Sequence, residues 1–488
     1  MTYLGIDLGT SSVKLLLMAE DQRIIGSASA ELSVSRPASG FCEQDPADWI
    51  TATRQAAQEL RAAHGVAWAA LHGIGLSGHM HGATVLDRAD AVLRPCILWN
   101  DTRSHAQAAR LDSDPRFRAI SGNIVFPGFT APKLVWMQEN EPDLFDKVAK
   151  VLLPKDYLRL WLTGEHLSEM SDAAGTSWLD TGARDWSDVL LEASGMRRDQ
   201  MPDLVEGTAA AGRLRPEILA EWGLSGPVTV AGGAGDNAAA ACGMGTVSGG
   251  AAFVSLGTSG VVFAATDSYL PRPESAVHTF CHALPDTWHQ MGVMLSATDA
   301  LNWHARICGE SPAALVAELG RQVQAPDAIF LPYLAGERTP HNDARIRAAF
   351  VGLDHATDRP AITRAVLEGV AFAIRDNVEA LRAAGTTLSR VTAVGGGARS
   401  DYWLSVIATV LGLPVDVPQD GDFGAAFGAA RLGLIAATGA EPRAVLVPPP
   451  TARTLLPDAV LGDAFDAGYA RFSALYPLLR DRNSPPRK

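Results

Sequence analysis

Two short apolar runs joined by a turn open the chain. They cover residues 3–7 and 13–17, and Gly9 and Thr10 lie between them. Apolar runs of this length on either side of a glycine-containing turn predict a β-hairpin. Asp7 ends the first run, so the hairpin places a carboxylate at the end of an apolar strand.

The same pattern returns 248 positions later (256 − 8 = 248), about half the chain length of 488 residues. LGTSSV from Leu8 to Val13 is matched by LGTSGV from Leu256 to Val261. VTVAGG at 228–233 also resembles VTAVGG at 391–396, and each reads as a strand that runs into a glycine turn. Two matched pairs in the same order predict a duplicated α/β domain. In this alignment Asp7 corresponds to Ser255, and Asp236 corresponds to Arg399.

The two halves differ in length. The spacing is 223 residues from Gly9 to Gly232 and 138 from Gly257 to Gly395, so the first half carries 223 − 138 = 85 extra residues. We expect this insertion to include residues 99–178. A run of small residues at 242–250 places the boundary between domains 1–245 and 246–488. Helix-like patterns at 361–384 and 464–476 alternate with strands, which favours α/β layers.

Composition excludes several classes of protein. The chain has 41 Lys+Arg and 54 Asp+Glu, a formal net charge of −13, which argues against a dedicated nucleic-acid binder. It has no apolar run of ~18 residues that could span a membrane, and its start lacks a signal-peptide pattern, so we expect a cytoplasmic protein. The 5 Cys are scattered without a C-x-x-C pair, which argues against a disulfide scaffold or a structural zinc site.

The Gly-Thr-Ser turns are candidate phosphate sites. Their successive backbone N–H groups and hydroxyls form a concave set of donors, although the same residues are also ordinary turn formers. Two such tips, one from each half, would hold a polyphosphate between them. Asp7 would repel the phosphates unless a hard cation such as Mg²⁺ lay between them.

The residues after the second pair of strings suggest proton transfer. Asp236 and Arg399 are both predicted to lie where a helix begins. Asp236 would accept a proton from a substrate hydroxyl and Asn237 would orient it, as phosphoryl transfer to an alcohol requires. The alternative is that Asp236 is simply a helix N-cap. The triple glycine at 395–397 would allow a flat ligand such as adenine to approach closely.

Longer motifs resemble those of the FGGY carbohydrate kinases. These motifs are GFTAPKLVWM at 128–137, YLAGERTP at 333–340, GIDLGTSSVK, VSLGTSG and GGGARSDYW. Within the family, GHMHGA at 78–83, LWNDTR at 98–103 and LPKDY at 153–157 are most similar to the xylulose kinases, although His79 stands where Gln is expected. The resemblance implies two duplicated domains of the actin, hexokinase and heat-shock ATPase (ribonuclease H-like) fold, with a cleft between them.

The resemblance also implies ATP-dependent phosphorylation of D-xylulose to D-xylulose 5-phosphate. Asp236 would be the general base, and Asp7 the acid associated with Mg²⁺. Sugar-binding residues would be Met80, His81, Trp99, Asp101, Arg103, Asp236 and Asn237. Nucleotide-binding residues would be Thr10, Ser11, Gly257, Thr258, Gly395, Gly396, Gly397, Ala398 and Ser400, with Tyr402 beside the adenine.

Several alternatives stay open. The sugar could be another ketopentose or a pentitol, such as D-ribulose, L-ribulose or D-arabinitol. A different class is a nucleotide-gated binding protein of the actin or chaperone type, but the polar and aromatic residues at 78–178 suit a sugar pocket better. His79 and His81 could form half of a metal site on a strand, with no third ligand evident. The oligomeric state, including a homodimer, is not fixed by the sequence.

Overall fold

The computed structural model describes residues 1–419 and 421–480. Its first half is built on a sheet of seven strands in the order β5-β6-β4-β1-β2-β3, with β7 also paired to β4. The strands β1 to β7 are Thr2–Leu8, Ser12–Ala19, Ile24–Glu31, Leu71–Gly78, Ala210–Arg213, Thr229–Ala231 and Ala234–Gly235.

The second half has its own seven-stranded sheet, in the order β10-β11-β9-β8-β12-β13-β14. Its strands β8 to β14 are Ala252–Leu256, Gly260–Thr266, His278–Cys281, Trp288–Met294, Val391–Val394, Val415–Pro418 and Thr451–Leu455. The described residues also form five two-stranded ladders, from Glu43–Gln44, Thr84–Leu86, Cys96–Ile97, Lys150–Leu152, Leu167–Glu169, Leu179–Asp180, Asp185–Trp186, Asp203–Val205, Ile329–Leu331 and Ala349–Val351.

Among the described residues, nine helices are nine residues or longer. These helices, α1 to α9, are Pro46–Ala63, Thr130–Asn140, Pro154–Thr163, Asp236–Met244, Thr298–Cys308, Arg359–Ala383, Asp401–Leu411, Ala425–Thr438 and Gly462–Leu479. Shorter α-helical pieces are Gly65–Ala69, His105–Asp112, Pro115–Ser121, Pro142–Phe145, Met170–Ala173, Asp188–Ala193, Pro216–Trp222, Pro312–Ala317 and Pro442–Val445, and 3₁₀ turns are Ala174–Thr176, Arg198–Gln200, Pro273–Ser275 and Gly396–Arg399.

The local predictions are confirmed. The opening hairpin pairs β1 with β2 in antiparallel register, and β8 with β9 repeats it in the second half. The helix predicted at 361–384 is α6, which begins slightly earlier because the Asp358 side chain accepts a hydrogen bond from Ala361 N at 2.8 Å. The helix predicted at 464–476 is α9. The polar end after it lies outside the described residues.

The alignment of the second pair of strings is wrong. β6 pairs with β4, whereas β12 pairs directly with β8, the counterpart of β1. β12 therefore takes the place of β4, and β13 takes the place of β6. As a result Asp236, which follows β6, corresponds to Asp422, which follows β13, and does not correspond to Arg399. Both strings are short parallel strands that end in Gly-Gly, so local sequence could not distinguish their places in the sheet.

Arg399 also does not begin an α-helix. It ends a 3₁₀ turn, and α7 begins at Asp401. The reason is a cap, because the Ser400 hydroxyl accepts a hydrogen bond from Trp403 N at 3.2 Å.

The helices that follow β7 and β13 cross each other at glycines. A Cβ on Gly428 of α8 would lie 1.8 Å from Ala239 O of α4, and a Cβ on Gly243 would lie 2.2 Å from Phe423 O. Only glycine permits two backbones to approach this closely.

Helix α8 also covers the first sheet, although it belongs to the second half of the chain. A Cβ on Gly5 of β1 would lie 1.8 Å from Ala426 O, and a Cβ on Gly75 of β4 would lie 1.8 Å from Ala429 O. A helix from the second half of the chain thus packs directly on the sheet of the first half. In the part of the chain that the structure describes, no helix combines the length and apolar character needed to cross a bilayer.

Candidate active site

Three parallel strands of the first sheet end side by side. Asp7 of β1 and Ala234 of β7 are both in register with Ser77 of β4, and Gly235 is in register with Gly78. The Ser77 hydroxyl donates a hydrogen bond to Asp7 Oδ1 at 2.9 Å. The carboxyl ends of these strands therefore bring together Asp7, the loop after β4 and the start of α4, and ligands of α/β sheets commonly bind at such an edge.

Asp236 is the first residue of α4. The N-cap position is Gly235, so the alternative that Asp236 is only an N-cap is wrong. Its Oδ1 atom accepts hydrogen bonds from Asn237 N at 2.7 Å and from Asn237 Nδ2 at 2.8 Å. Burial and, after it, the nearby Asp7 carboxylate together raise the pKa of Asp236 to about 6, although the hydrogen bonds from Asn237 oppose both effects. Asp236 is therefore mostly ionised at neutral pH, yet more basic than a free carboxylate.

Asp7 lies beside an ion pair that joins the two halves. Burial raises the pKa of Asp7, and the carboxylate of Asp422 adds to this, whereas the Ser77 hydrogen bond and the charge of Lys14 lower it. Lys14 of β2 forms an ion pair with Asp422, which lies just before α8. The sequence analysis did not single out Asp422, because its partner is 408 positions away.

The loop after β4 holds His81 in a left-handed conformation, with φ of 70°. Its Nδ1–H donates to Gly175 O at 2.7 Å, because a carbonyl can only accept, and its ring stacks on Phe129 at 4.4 Å. Lys133 Nζ donates to His81 O at 2.7 Å, which fixes the backbone of the loop. Burial lowers the pKa of His81 to about 3, so the imidazole is neutral and its Nε2 is a hydrogen-bond acceptor.

Met80 links this loop to the start of α4. A Cβ on Gly235 would lie 2.9 Å from Met80 Cγ, so the two residues are in direct contact. Residues 78–83, which are predicted to bind the sugar, are called the sugar loop below. The sugar loop and the predicted base Asp236 are thus adjacent in space although they are about 155 positions apart.

His79 faces the core. Its ring packs edge-on against Trp49 at 5.8 Å, and neither ring nitrogen has a hydrogen-bond partner. Burial lowers the pKa of His79 to about 3. β4 ends at Gly78, so the alternative in which His79 and His81 alternate on a strand as half of a metal site is wrong. Among the described residues, no group of three or more His, Cys, Asp or Glu side chains is arranged to hold a metal ion.

The other predicted sugar residues lie in two different settings. Trp99 is 47% exposed, and its Nε1–H donates to Thr10 Oγ1 at 3.0 Å, so it lies at the first hairpin tip. Asp101 and Arg103 are fully buried in an ion-pair network with Glu43. Asp101 also accepts a hydrogen bond from Cys42 N at 2.6 Å. The Asp101 carboxylate and the Nε and Nη2 groups of Arg103 are engaged within the protein, and the contact of these two residues with sugar stays a prediction.

In the second half, the glycine turn lies against the second hairpin tip. Gly395 has φ of 89°, and a Cβ on it would lie 2.8 Å from Leu256 O, so both conformation and space require glycine. Gly257 O accepts hydrogen bonds from Thr298 N at 2.9 Å and from Thr298 Oγ1 at 2.7 Å, so α5 begins at this tip.

Two cavities lie beside this turn. One, of about 420 Å³, lies between the halves, because Ala240 and Met244 of α4 line one side and Gly395, Ala398 and Arg399 line another. The second, of about 680 Å³, is lined by Gly396, Gly397, Ser400, Tyr402 and Thr298 among others. The predicted nucleotide residues of the glycine turn therefore line two neighbouring cavities, large enough together for phosphates and a base, whereas Gly257 and Thr258 line neither cavity.

Family models match almost the whole chain. The N-terminal domain of the FGGY family of carbohydrate kinases matches residues 2–243, and its C-terminal domain matches residues 252–437. The chain belongs to the FGGY family of carbohydrate kinases. The predicted family, the carbohydrate kinase activity and the duplicated two-domain fold are confirmed.

This FGGY kinase is similar to xylulose kinases along its full length. It is 48% identical over 481 residues to the xylulose kinase of Escherichia coli K12, a match that covers 98% of this chain and 99% of that protein. A crystal structure of a "xyloylose kinase" from Brucella ovis is 64% identical, has a TM-score of 0.98 and covers 99% and 100% of the two chains. The xylulose kinase structure from Rhodospirillum rubrum is 29% identical, with a TM-score of 0.92 and coverage of 99% and 100%.

In this FGGY kinase, several residues that position the predicted site residues could not be identified from the sequence. Ser77, Phe129 and Gly175 shape the positions of Asp7 and His81, and Lys133 was noted only as part of a motif. Each interaction joins segments that are distant in the sequence, so no local pattern indicates it.

Proposed function

We propose that this kinase transfers the γ-phosphoryl group of ATP to the terminal C5 hydroxyl of D-xylulose, giving D-xylulose 5-phosphate. The observation that carries the proposal is the contact between Met80 and Gly235, which places the sugar loop beside Asp236. The similarity to xylulose kinases over the full chain supports the choice of sugar.

Asp236 serves as the general base. Both hydrogen bonds from Asn237 end on Oδ1, which leaves Oδ2 to accept the proton of the sugar hydroxyl. Its pKa of about 6 is low enough for ionisation at neutral pH and high enough to favour proton transfer.

The sugar lies between the base and the loop after β4. His81 Nε2 accepts a hydrogen bond from a sugar hydroxyl, because Nδ1 already donates to Gly175 O. Met80 supplies an adaptable apolar wall against the carbon chain. Trp99 forms an outer wall at the first hairpin tip, and Asp101 and Arg103 act on the far hydroxyls or support this wall from behind.

The nucleotide occupies the two cavities beside the glycine turn. Its adenine enters the 680 Å³ cavity beside Ser400 and Tyr402, whose hydroxyl is buried without a hydrogen-bond partner. Its phosphates lie along the 420 Å³ cavity between the halves. Backbone N–H groups and hydroxyls then hold the phosphates, contributed by Thr10, Ser11, Gly257, Thr258, Gly395, Gly396, Gly397 and Ala398.

Asp7 fits the role of a Mg²⁺ ligand. The charge of Asp7 raises the pKa of Asp236, so the two carboxylates are close enough to repel each other, and a cation beside Asp7 would relieve this repulsion. Mg²⁺ in kinases is held by one or two carboxylates, with phosphates and water completing its shell, so a single protein ligand suffices. When bound, Mg²⁺ would neutralise charge on the phosphates.

The test is an ADP-release assay against ketoses, pentitols and glycerol. D-xylulose should give the highest kcat/KM, ahead of D-ribulose, L-ribulose and D-arabinitol. A preference for one of the other sugars would overturn the choice of substrate but not the kinase activity. A cytoplasmic location and a homodimer stay predictions, which cell fractionation and light scattering would check.

A further inference from the structure

Five ionisable side chains are fully buried behind the candidate active site. Lys155 and Arg159 lie on α3, with Asp156 beside them, and Glu169 and Asp172 lie at the start of the short helix Met170–Ala173; all five are 0% exposed. Buried charges are costly and need close partners. Neither sugar binding by residues 78–83 nor nucleotide binding by the glycine turn requires these five buried charges.

Lys155 is the centre of the cluster. Its Nζ atom lies 2.7 Å from Asp156, 3.0 Å from Asp172 and 3.3 Å from Glu169. Burial raises the pKa of Asp172 well above its usual range; the charge of Lys155 opposes this shift, and the carboxylates of Asp156 and Glu169 add to it.

The cluster contacts the loop that leads to Asp236 at two points. Arg159 donates a hydrogen bond to Gly232 O. The Ser171 hydroxyl accepts a hydrogen bond from Gly235 N at 3.0 Å and donates to Glu169 Oε1 at 3.0 Å. Glu169 Oε2 in turn accepts from Ser171 N at 2.7 Å, so the serine is held at both its backbone and its side chain.

Gly235 is the residue immediately before Asp236. Its N–H group lies at the start of α4, where the N–H groups have no partner within the helix. Ser171 supplies that partner, and Met80 packs against Gly235 as well.

We propose that Ser171, held by Glu169 and the charge of Lys155, is a positioning residue that fixes the backbone of Gly235 and thereby the carboxylate of Asp236. This inference rests on the proposed role of Asp236 as the base. Ser171 acts through Gly235, so its effect should fall on the chemical step and leave substrate binding largely intact.

The test compares Ser171→Ala with Ser168→Ala. Ser168 is a matched control, because its hydroxyl donates to Asp156 Oδ2 at 2.6 Å within the same buried cluster, yet it makes no hydrogen bond to residues 232–236. Ser171→Ala should lower kcat about 10- to 100-fold with both KM values within about twofold of wild type, and Ser171→Thr should restore most of the activity. Ser168→Ala should keep more than half of the wild-type kcat.

Hydrogen exchange measured by mass spectrometry supplies a second readout. The segment 232–237 should exchange faster in Ser171→Ala than in wild type or in Ser168→Ala. If the alanine variant does not fold, Ser171→Cys fills a similar volume with a weaker acceptor and should show the same pattern at a smaller size.

The positioning role is overturned if Ser171→Ala keeps more than half of the wild-type kcat, or if both serine variants lose kcat equally. Asp236→Asn distinguishes this failure from failure of the proposed function. If Asp236→Asn is inactive while Ser171→Ala is fully active, only the positioning role is lost. If Asp236→Asn is active, the proposed base is wrong whatever Ser171 does.

Discussion

The two halves of the molecule share one framework and differ at two equivalent loops. After β4 the first half places the sugar loop with Met80 and His81, whereas after β12 the second half places the glycine turn at 395–397. At the start of α4 the first half has Gly235-Asp236-Asn237, and just before α8 the second half has Gly421-Asp422-Phe423.

The difference shows how duplication separates roles. Each equivalent loop meets the same region between the halves, but one side presents the proposed base and the proposed sugar loop, and the other presents glycine backbone beside two cavities. Asp236 and Asp422 make the sharpest contrast. Asp236 is held by Asn237 with Oδ2 left for a substrate, whereas Asp422 pairs with Lys14.

The largest effect should come from Asp236→Asn. Loss of a positioned base typically lowers kcat about 10²- to 10⁴-fold. Because the raised pKa of Asp236 means that its ionisation is unfavourable in the folded state, stability falls as pH rises from its usual pKa to about 6. The variant should therefore match or exceed the wild-type Tm at pH 7.5.

The control is Asp422→Asn at the equivalent position. Its ion pair with Lys14 is partly exposed, with 33% and 38% of the two side chains accessible, so its loss should cost about fivefold or less in kcat. Equal losses in the two variants would contradict the assignment of the base to the first half alone. An Asp236→Asn variant that kept more than half of the wild-type kcat would also contradict the assignment of Asp236 as the base.

Next in size is His81→Ala. The variant loses the Nε2 acceptor, so KM for D-xylulose should rise about 5- to 150-fold. Slow ATP hydrolysis without sugar should change much less, because the residues near the nucleotide are untouched. A KM within twofold of wild type would show that His81 does not bind the sugar.

The pH profile should reflect the environment of Asp236. Because the base must be ionised, kcat/KM should fall about tenfold per unit as pH drops below about 6. The charge of Asp7 contributes to this value, so residual activity of Asp7→Asn should have its acidic limb at lower pH. Rate measurements from pH 4.5 to 8 would check both statements, and a profile flat down to pH 5 would contradict them.

The smallest effect tests the crossing of α4 and α8. Gly428→Ala forces a Cβ to within 1.8 Å of Ala239 O, so the helices must separate at a cost of about 1–3 kcal/mol. Gly462→Ala is the control, because a Cβ there meets nothing within 4 Å at the start of α9. Thermal unfolding should show a lower Tm for the first variant only. Equal Tm values would mean that the crossing tolerates a side chain.

Local features of the fold could be predicted from the sequence. The hairpin around Gly9 and the helix after Asp358 depend on turn and cap residues that lie within a few positions. The order of parallel strands depends on contacts across the whole domain. This explains why the string at 391–396 was matched to β6 although it takes the place of β4.

In the candidate site, too, residues in local motifs could be predicted and long-range partners could not. Asp7, Asp236 and the sugar loop were predicted because each lies in a recognisable short motif. Their supporting partners were not, because Ser171 and Gly235 are 64 positions apart and Lys14 and Asp422 are 408 apart. Pairing over such distances leaves no periodic or local signal.

The position of α8 has a consequence for synthesis. This helix ends at Thr438, yet its backbone lies against Gly5, Gly73 and Gly75 of the first sheet. A ribosome that has made only residues 1–245 has therefore produced a sheet with one face uncovered. The first half cannot complete its folding until nearly the whole chain has emerged, so the two halves mature together although domains often fold in order of synthesis.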